Sequence, residues 1–357
     1  MEKIRAGVIG ATGMVGQRFL TLLENHPYFE VTVLAASKRS AGKTYEEAVD
    51  GRWKLAAPMP EYAKGMIMYD AAEVETVSSM CDFVFCAVDL NKEETKKLEE
   101  IYAKAETPVV SNNSANRWTE DVPMVVPELN SKHLEIIESQ RKRLGTKRGF
   151  IAVKPNCSIQ SYVPALTPLL DLGIDKVFVC TYQAISGAGK TFKEFPEMVD
   201  NVIPYIGGEE EKSEQEPLKI WGEIKDGKIE KYSGTDISAQ CIRVPVTDGH
   251  LAAVFVKFKG EKPTKEEILK RWNEFPAVDL PSAPKKFLNY FEEDNRPQTK
   301  IDRELEHGMA ISLGRLRDDM IFDYKFIGLS HNTLRGAAGG AVLIAELLAK
   351  QGYITKK

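Results

Sequence analysis

No apolar run in this chain approaches the roughly 18–20 residues that span a bilayer, so a membrane-embedded role is not expected. An excess of one charge is missing too. The 48 Lys and Arg residues against 52 Asp and Glu leave a net charge of −4, which offers nucleic acid no basic face. Cysteine is scarce and odd in number. Cys81, Cys86, Cys157, Cys180 and Cys241 include no CxxC pair, which argues against a disulfide framework or a metal site and for a reducing compartment. Met1 runs almost directly into the strand-like IRAGVIG, leaving no room for a signal peptide, so a cytoplasmic location is expected. Repeats and low-complexity tracts are absent as well. What remains is a chain of 357 residues, 43% apolar and 28% charged, long enough for two ordinary domains.

The first half alternates short apolar runs with helical periodicity. IRAGVIG (4–10), VTVLAAS (31–37), FVFCAV (83–88) and PVVSN (108–112) read as buried strands, with helices over 15–26 and 91–105 among them. That rhythm predicts a doubly wound α/β domain with a parallel sheet. From about residue 150 the runs lengthen: 176–185, 251–259, 309–317 and 320–329, the last two joined by Asp318-Asp319. They predict a second, α+β domain with a mostly antiparallel sheet. The polar stretch 190–235 reads as an insertion of helices and loops, and 332–352 as a final apolar helix stopped by Gly352.

Where the first strand meets the first helix stands Gly10-Ala11-Thr12-Gly13-Met14-Val15-Gly16. Glycines there let backbone approach a pyrophosphate, which the free N–H groups of the helix start then hold. The spacing is GxxGxxG in place of GxGxxG, so its weight comes from the strand–turn–helix context. The second strand ends in Ser37-Lys38-Arg39-Ser40, with two cations, two hydroxyls and no acid. A carboxylate there would bond a ribose hydroxyl, whereas Arg and Ser suit a 2′-phosphate, so NADP is the expected cofactor.

Cys157 in Lys154-Pro155-Asn156-Cys157-Ser158 follows a strand-like run and precedes SIQSYVPALTPLL, an expected helix despite Pro164 and Pro168. A cysteine at a helix start gains a lowered thiol pKa, as a nucleophile needs. His250, delivered by Gly249 onto the next strand, is the best acid/base partner of the five histidines. His26, His133 and His307 read as surface residues, and His331 as a cap for the last helix.

Taken together, GATGMVGQRF, ASKRSAGKTY, SNNSANRW, KPNCS, QAISGAG, GEEEK, IRVPVTDGH and NTLRGAAGGA resemble the aspartate-β-semialdehyde dehydrogenases, from residue 3 to about 352. The archaeal/fungal-type branch is the most similar. The resemblance implies a glyceraldehyde-3-phosphate-dehydrogenase-like fold, with residues 1–153 and 332–357 binding NADP and 154–331 forming the catalytic and dimerisation domain. It implies Cys157 as nucleophile, His250 as acid/base, and Arg243 as the clamp for a substrate α-carboxylate. Gln183 would bind near the acyl carbon, Glu209 (or Glu210) would take the ammonium, and Lys212 with Arg117 the phosphate. Ser186, Gly187 and Asn332 would lie against the cofactor, while Gly336, Gly339 and Gly340 would let the last helix pack on the dinucleotide domain. The implied reaction is NADPH-dependent reductive dephosphorylation of L-4-aspartyl phosphate to L-aspartate 4-semialdehyde, which feeds lysine (through diaminopimelate), methionine and threonine synthesis. A homodimer or homotetramer follows from the same resemblance. The rivals are a malonyl-CoA reductase and a sensor that binds NADP without chemistry.

Overall fold

The computed structural model describes residues 2–357; Met1, the first residue of the expected cofactor domain, lies outside them. Six strands form the first sheet: β1 (Ile4–Ile9), β2 (Phe29–Ala36), β3 (Met68–Asp70), β4 (Phe83–Cys86), β5 (Val109–Ser111) and β6 (Ile151–Val153). Their order is β3-β2-β1-β4-β5-β6 and every pairing is parallel. Both faces of such a sheet are covered, so its strands need no polar side. Alternate residues go to opposite cores: Phe83 and Phe85 to one, Val84 and Cys86 to the other. The helix Met14–Leu23 covers the first face with Phe19, which stacks on Phe85 at 4.5 Å between ring centres. The strand order reverses between β1 and its two neighbours, β2 and β4. A crevice opens at the carboxyl ends of the strands at such a point.

The second sheet contains β7 (Ile174–Gln183), β10 (Asp236–Arg243), β11 (His250–Phe258), β12 (Leu288–Phe291), β13 (Ile311–Asp318) and β14 (Tyr324–Ser330). A small hairpin, β8 (Glu223–Lys225) with β9 (Lys228–Glu230), stands apart. In the order β10-β7-β11-β14-β13-β12 the three central pairings are antiparallel and the two outer ones parallel. The sheet is therefore mixed. The long connection 184–235 carries the chain back to the start of β7 before β10 begins, which makes that edge parallel. Burial alternates along β7 and β11, with the inner residues Val177, Val179, Ala252 and Val254 continuing the core behind the first sheet.

Three local expectations change. The helix after Cys157 is broken into Ser158–Ser161, Val163–Leu166 and Thr167–Leu172, because Pro164 and Pro168 each lack an N–H for the continuous ladder. The β13–β14 link runs over 319–323, with Asp319 Oδ1 accepting from the N–H groups of Ile321 and Phe322. His26 and His133 are buried rather than surface residues. His26 stacks on Phe29 and meets Glu346 at 2.8 Å, and His133 bonds Asn130 and the Gly222 carbonyl. His307 is exposed, and His331 Nδ1 accepts from the Thr333 and Leu334 N–H groups as a cap does.

The final helix, Gly339–Lys350, is buried along ten residues and belongs to the core containing Val8 and Phe85. No helix among the described residues is long and apolar enough to cross a membrane.

Candidate active site

The crevice beside β1 is a cleft of about 590 Å³ lined by Gly10, Thr12, Gly13, Ser37 and Arg39 among others. Gly10 has φ +85, and a Cβ on it would stand 2.2 Å from the Ala87 carbonyl oxygen. Gly16 meets the same constraint, since its Cβ would fall 2.3 Å from Gly10 O. These two glycines let strand, loop and helix close up. Gly13, where a Cβ would meet only Gly10 O at 3.7 Å, lines the cleft. Met14 and Val15 open the helix, and no side chain caps their turn, so its N–H groups are free for an anion. Arg39 and Ser37 are exposed at the end of β2, while Ser40 turns inward. A dinucleotide with a 2′-phosphate fits this cradle. The sequence reading missed Arg52 and Lys54 on its wall; Lys54 Nζ bonds Glu194 and the Gly189 carbonyl, both at 2.8 Å.

Cys157 stands four residues beyond β6, at the start of the broken helix, and its Sγ lies 3.4 Å from His250 Nε2. His250 is the first residue of β11, and Gly249 with φ +98 makes the turn that delivers it. Ala184 N–H donates to His250 Nδ1 at 3.1 Å. A backbone amide can only donate, so the neutral ring carries its hydrogen on Nε2, facing the sulfur. Burial, then Arg243 and His331, hold the imidazole well below its ordinary pKa. The ring is neutral, and it is a donor first.

Around this pair stand Arg243, Gln183, Glu209 and Lys212. Gln183 and Arg243 end neighbouring strands in register, β7 and β10. Arg243 Nη1 bonds Ala184 O at 2.8 Å, and a Cβ on Gly187 would stand 2.8 Å from that nitrogen and 3.0 Å from the imidazole. Only glycine lets this backbone lie over both. Glu209 opens the helix Glu209–Ile220, and its carboxylate accepts from Asn156 Nδ2 at 3.0 Å, Gln183 Nε2 at 3.3 Å and Lys212 Nζ at 2.8 Å. Burial pushes its pKa up, but Lys212, Asn156 and Gln183 outweigh that and keep it below the usual value. Glu210 turns away, to Gln240 and the Cys241 N–H. Arg117 is buried, its guanidinium donating to Glu216 at 2.9 Å, Lys154 O at 3.0 Å and Asn112 O at 3.3 Å.

Two models of known families match in turn: "Semialdehyde dehydrogenase, NAD binding domain" over residues 5–137 and "Semialdehyde dehydrogenase, dimerisation domain" over 166–335. An aspartate-semialdehyde dehydrogenase of Archaeoglobus fulgidus is 45% identical over 98% of both chains. The chain belongs to the aspartate-semialdehyde dehydrogenase family. Among solved structures, the aspartate semialdehyde dehydrogenase of Candida albicans with NADP superposes with a TM-score of 0.89, at 37% identity, over 99% of this chain and 100% of that one. The aspartate semialdehyde dehydrogenase II of Vibrio cholerae, complexed with ASA, gives 0.72 at 26% identity over 98% and 99%.

Asn332 is almost wholly buried, its amide bonding Ser186 Oγ and the Gly249 N–H, both at 2.8 Å, so it ties the turn at Ser186 to the residue before His250. Gly336 differs from expectation. Its nearest neighbour is Cys157, a Cβ there falling 2.8 Å from Cys157 Cβ, inside an irregular turn over Leu334–Ala338. Asn156, Lys154 and Glu216 were missed, although the first two sit in KPNCS and the third lies seven residues after Glu209, on the same helix face.

The thiol does not gain the lowering expected from a helix start. Burial raises its pKa and Glu209 adds to that, against Lys154, Arg117 and Arg243, which lower it. Lys154 is buried without a carboxylate partner, its ammonium bonding the Pro155 carbonyl, and burial brings it to about 7. With the thiol raised and the imidazole neutral, the thiolate fraction grows through the whole neutral range. Alkylation of Cys157 by iodoacetamide in the empty enzyme is thus expected to rise about tenfold per pH unit between about pH 6 and about pH 8. Peptide-resolved mass spectrometry measures it, and a plateau beginning below about pH 7 would mean an imidazolium–thiolate pair instead.

Proposed function

We propose that this chain reduces L-4-aspartyl phosphate to L-aspartate 4-semialdehyde, with release of phosphate, through a thioester on Cys157. The carrying observation is the 3.4 Å contact between Cys157 Sγ and His250 Nε2, placed among Arg243, Gln183, Glu209 and Lys212. Cys157 attacks the acyl carbon as its thiolate, the carbon–sulfur bond forming as the bond to the phosphate oxygen breaks, and phosphate leaves with that electron pair. Bound NADPH supplies the hydride that reduces the thioester carbon. His250 donates its Nε2–H first to sulfur and then to the oxygen that becomes negative, a fixed donor aimed at developing charge. When that oxygen's electrons re-form the carbonyl, the carbon–sulfur bond breaks and the thiolate returns.

Charge matching supports the substrate. Arg243 suits the α-carboxylate, whose two oxygens match a guanidinium fork. Glu209 suits the ammonium, and Lys212 with Arg117 the phosphate. Glu209 and Lys212 bond each other. Each takes the place of the substrate group that the other will bind. A malonyl thioester has no ammonium to take the place of Lys212 at Glu209. N–H groups at Gly13-Met14 would hold the pyrophosphate, with Ser37, Arg39 and Ser40 nearer the 2′-phosphate and Ser186, Gly187 and Asn332 nearer the nicotinamide.

Residues 1–153 with 332–357 would form the NADP-binding domain and 154–331 the catalytic one, which suits the shared core of β1, β4 and the last helix. The outer face of the second sheet presents Phe178, Tyr182, Leu251, Phe255 and Ile327, all half-buried, and a second copy would cover it in a homodimer. Five free cysteines suit the cytoplasm.

Purified enzyme given NADPH and each acyl donor in turn tests the reading. Turnover with aspartyl phosphate is expected, at least about 10²-fold above that with malonyl-CoA, because a malonyl donor forgoes the charge-assisted contact between an ammonium and Glu209. Turnover of malonyl-CoA with aspartyl phosphate inert would overturn it.

A further inference from the structure

The helix Glu209–Ile220 presents Glu209, Lys212 and Glu216 on one face, three and then four residues apart. The first two belong to the substrate site as proposed above. Glu216 lies deeper: it is wholly buried, and its two oxygens have different partners. Oε1 accepts from Arg117 Nη1 at 2.9 Å, and Oε2 accepts from the backbone N–H of Asn156 at 2.5 Å, one residue before the nucleophile. The helix is itself anchored beside that loop. Pro217 has no N–H to offer the carbonyl of Ser213, and the Tyr162 hydroxyl donates to that carbonyl at 2.7 Å instead. Ser213 Oγ also lies 3.4 Å from Ser158 Oγ, next to Cys157.

We infer that Glu216 is a positioning residue whose single carboxylate sets the phosphate-side Arg117 and the Cys157 loop in register. The inference rests on the assignment of Arg117 to the phosphate. Two of the five Arg117 donors point at the Lys154 and Asn112 carbonyls and a third at Glu216, so the fork is oriented from behind. Its remaining N–H groups are the ones left for an anion. A carboxylate satisfies both Arg117 and the Asn156 amide, because both of its oxygens only accept. Glutamine has one such oxygen; its NH₂ would face a donor on one side or the other, and the buried mismatch would turn either the arginine or the loop.

The test uses the full-length enzyme in the direction that oxidises aspartate semialdehyde, with NADP and inorganic phosphate. Glu216→Gln is expected to raise the phosphate KM about fivefold or more, with the semialdehyde KM within about twofold of wild type. Glu216→Asp, which keeps the charge but withdraws it by one methylene, is expected to fall between the two. A purely structural role would reduce the yield of folded, active enzyme and leave both KM values unchanged, so an unchanged phosphate KM overturns the assignment. If Glu216→Gln does not accumulate as folded protein, Glu216→Asp is read by the same rule. Wild-type enzyme with no phosphate requirement would instead overturn the functional reading. A wild-type requirement retained unaltered in the variants would overturn only the role of Glu216.

Discussion

Cys157→Ser is expected to slow phosphate-dependent oxidation of aspartate semialdehyde by at least about 10³-fold, because removing a covalent nucleophile forfeits the whole thioester route. A serine hydroxyl at this position has no base to deprotonate it: the neighbouring His250 nitrogen already carries a hydrogen, fixed by the Ala184 N–H on the far side of the ring. NADP binding should be unaffected, since the cofactor cradle lies at the ends of β1 to β4. Steady-state rates with a fluorescence titration of NADPH binding make the measurement. Retained activity would eliminate covalent catalysis. Loss of NADP binding together with activity would show damage to the fold instead.

His250→Ala is expected to cost about 10²–10³ in kcat, the range for removing one fixed donor from an oxyanion. His250→Gln should recover part of the loss, because a side-chain amide can also offer an N–H toward sulfur. A ring acting mainly as a base for the thiol predicts otherwise, with glutamine no better than alanine. The ring is buried and held neutral by desolvation and by Arg243, which favours the donor role. The pH profile carries the same sign. A base of ordinary histidine pKa would add an acid limb near about pH 6.5. A ring already neutral adds none in that range; the acid limb belongs to the sulfur and, with the thiol raised by burial, lies at higher pH.

Much of this site was legible before any coordinates. Strand-like runs with a glycine turn placed the cofactor domain, and the strands 4–9, 29–36 and 83–86 fall where periodicity put them. Cys157 and His250 are 93 residues apart, and chain alone gave them no geometry; their meeting depends on the end of β6 lying beside the start of β11. Polar short strands such as Met68–Asp70 and the hairpin at 223–230 carry no periodic signal of their own. Glu216 was hidden for a different reason. In sequence it is one more charge in EEEKSEQE, and nothing local tells a buried glutamate from a solvated one. The raised thiol pKa was also out of reach, because the helix-start argument supplies only one of its causes, and burial is set by the whole fold. The proline-broken helix weakens that one cause further.

The most direct measurement is the mass of the Cys157-bearing peptide after the enzyme is mixed with aspartate semialdehyde and NADP, without phosphate, and quenched in acid. An aspartyl adduct on Cys157 that disappears when phosphate is added is the predicted result. Formation of NADPH with that peptide unmodified, and no other intermediate before phosphate arrives, would contradict the account.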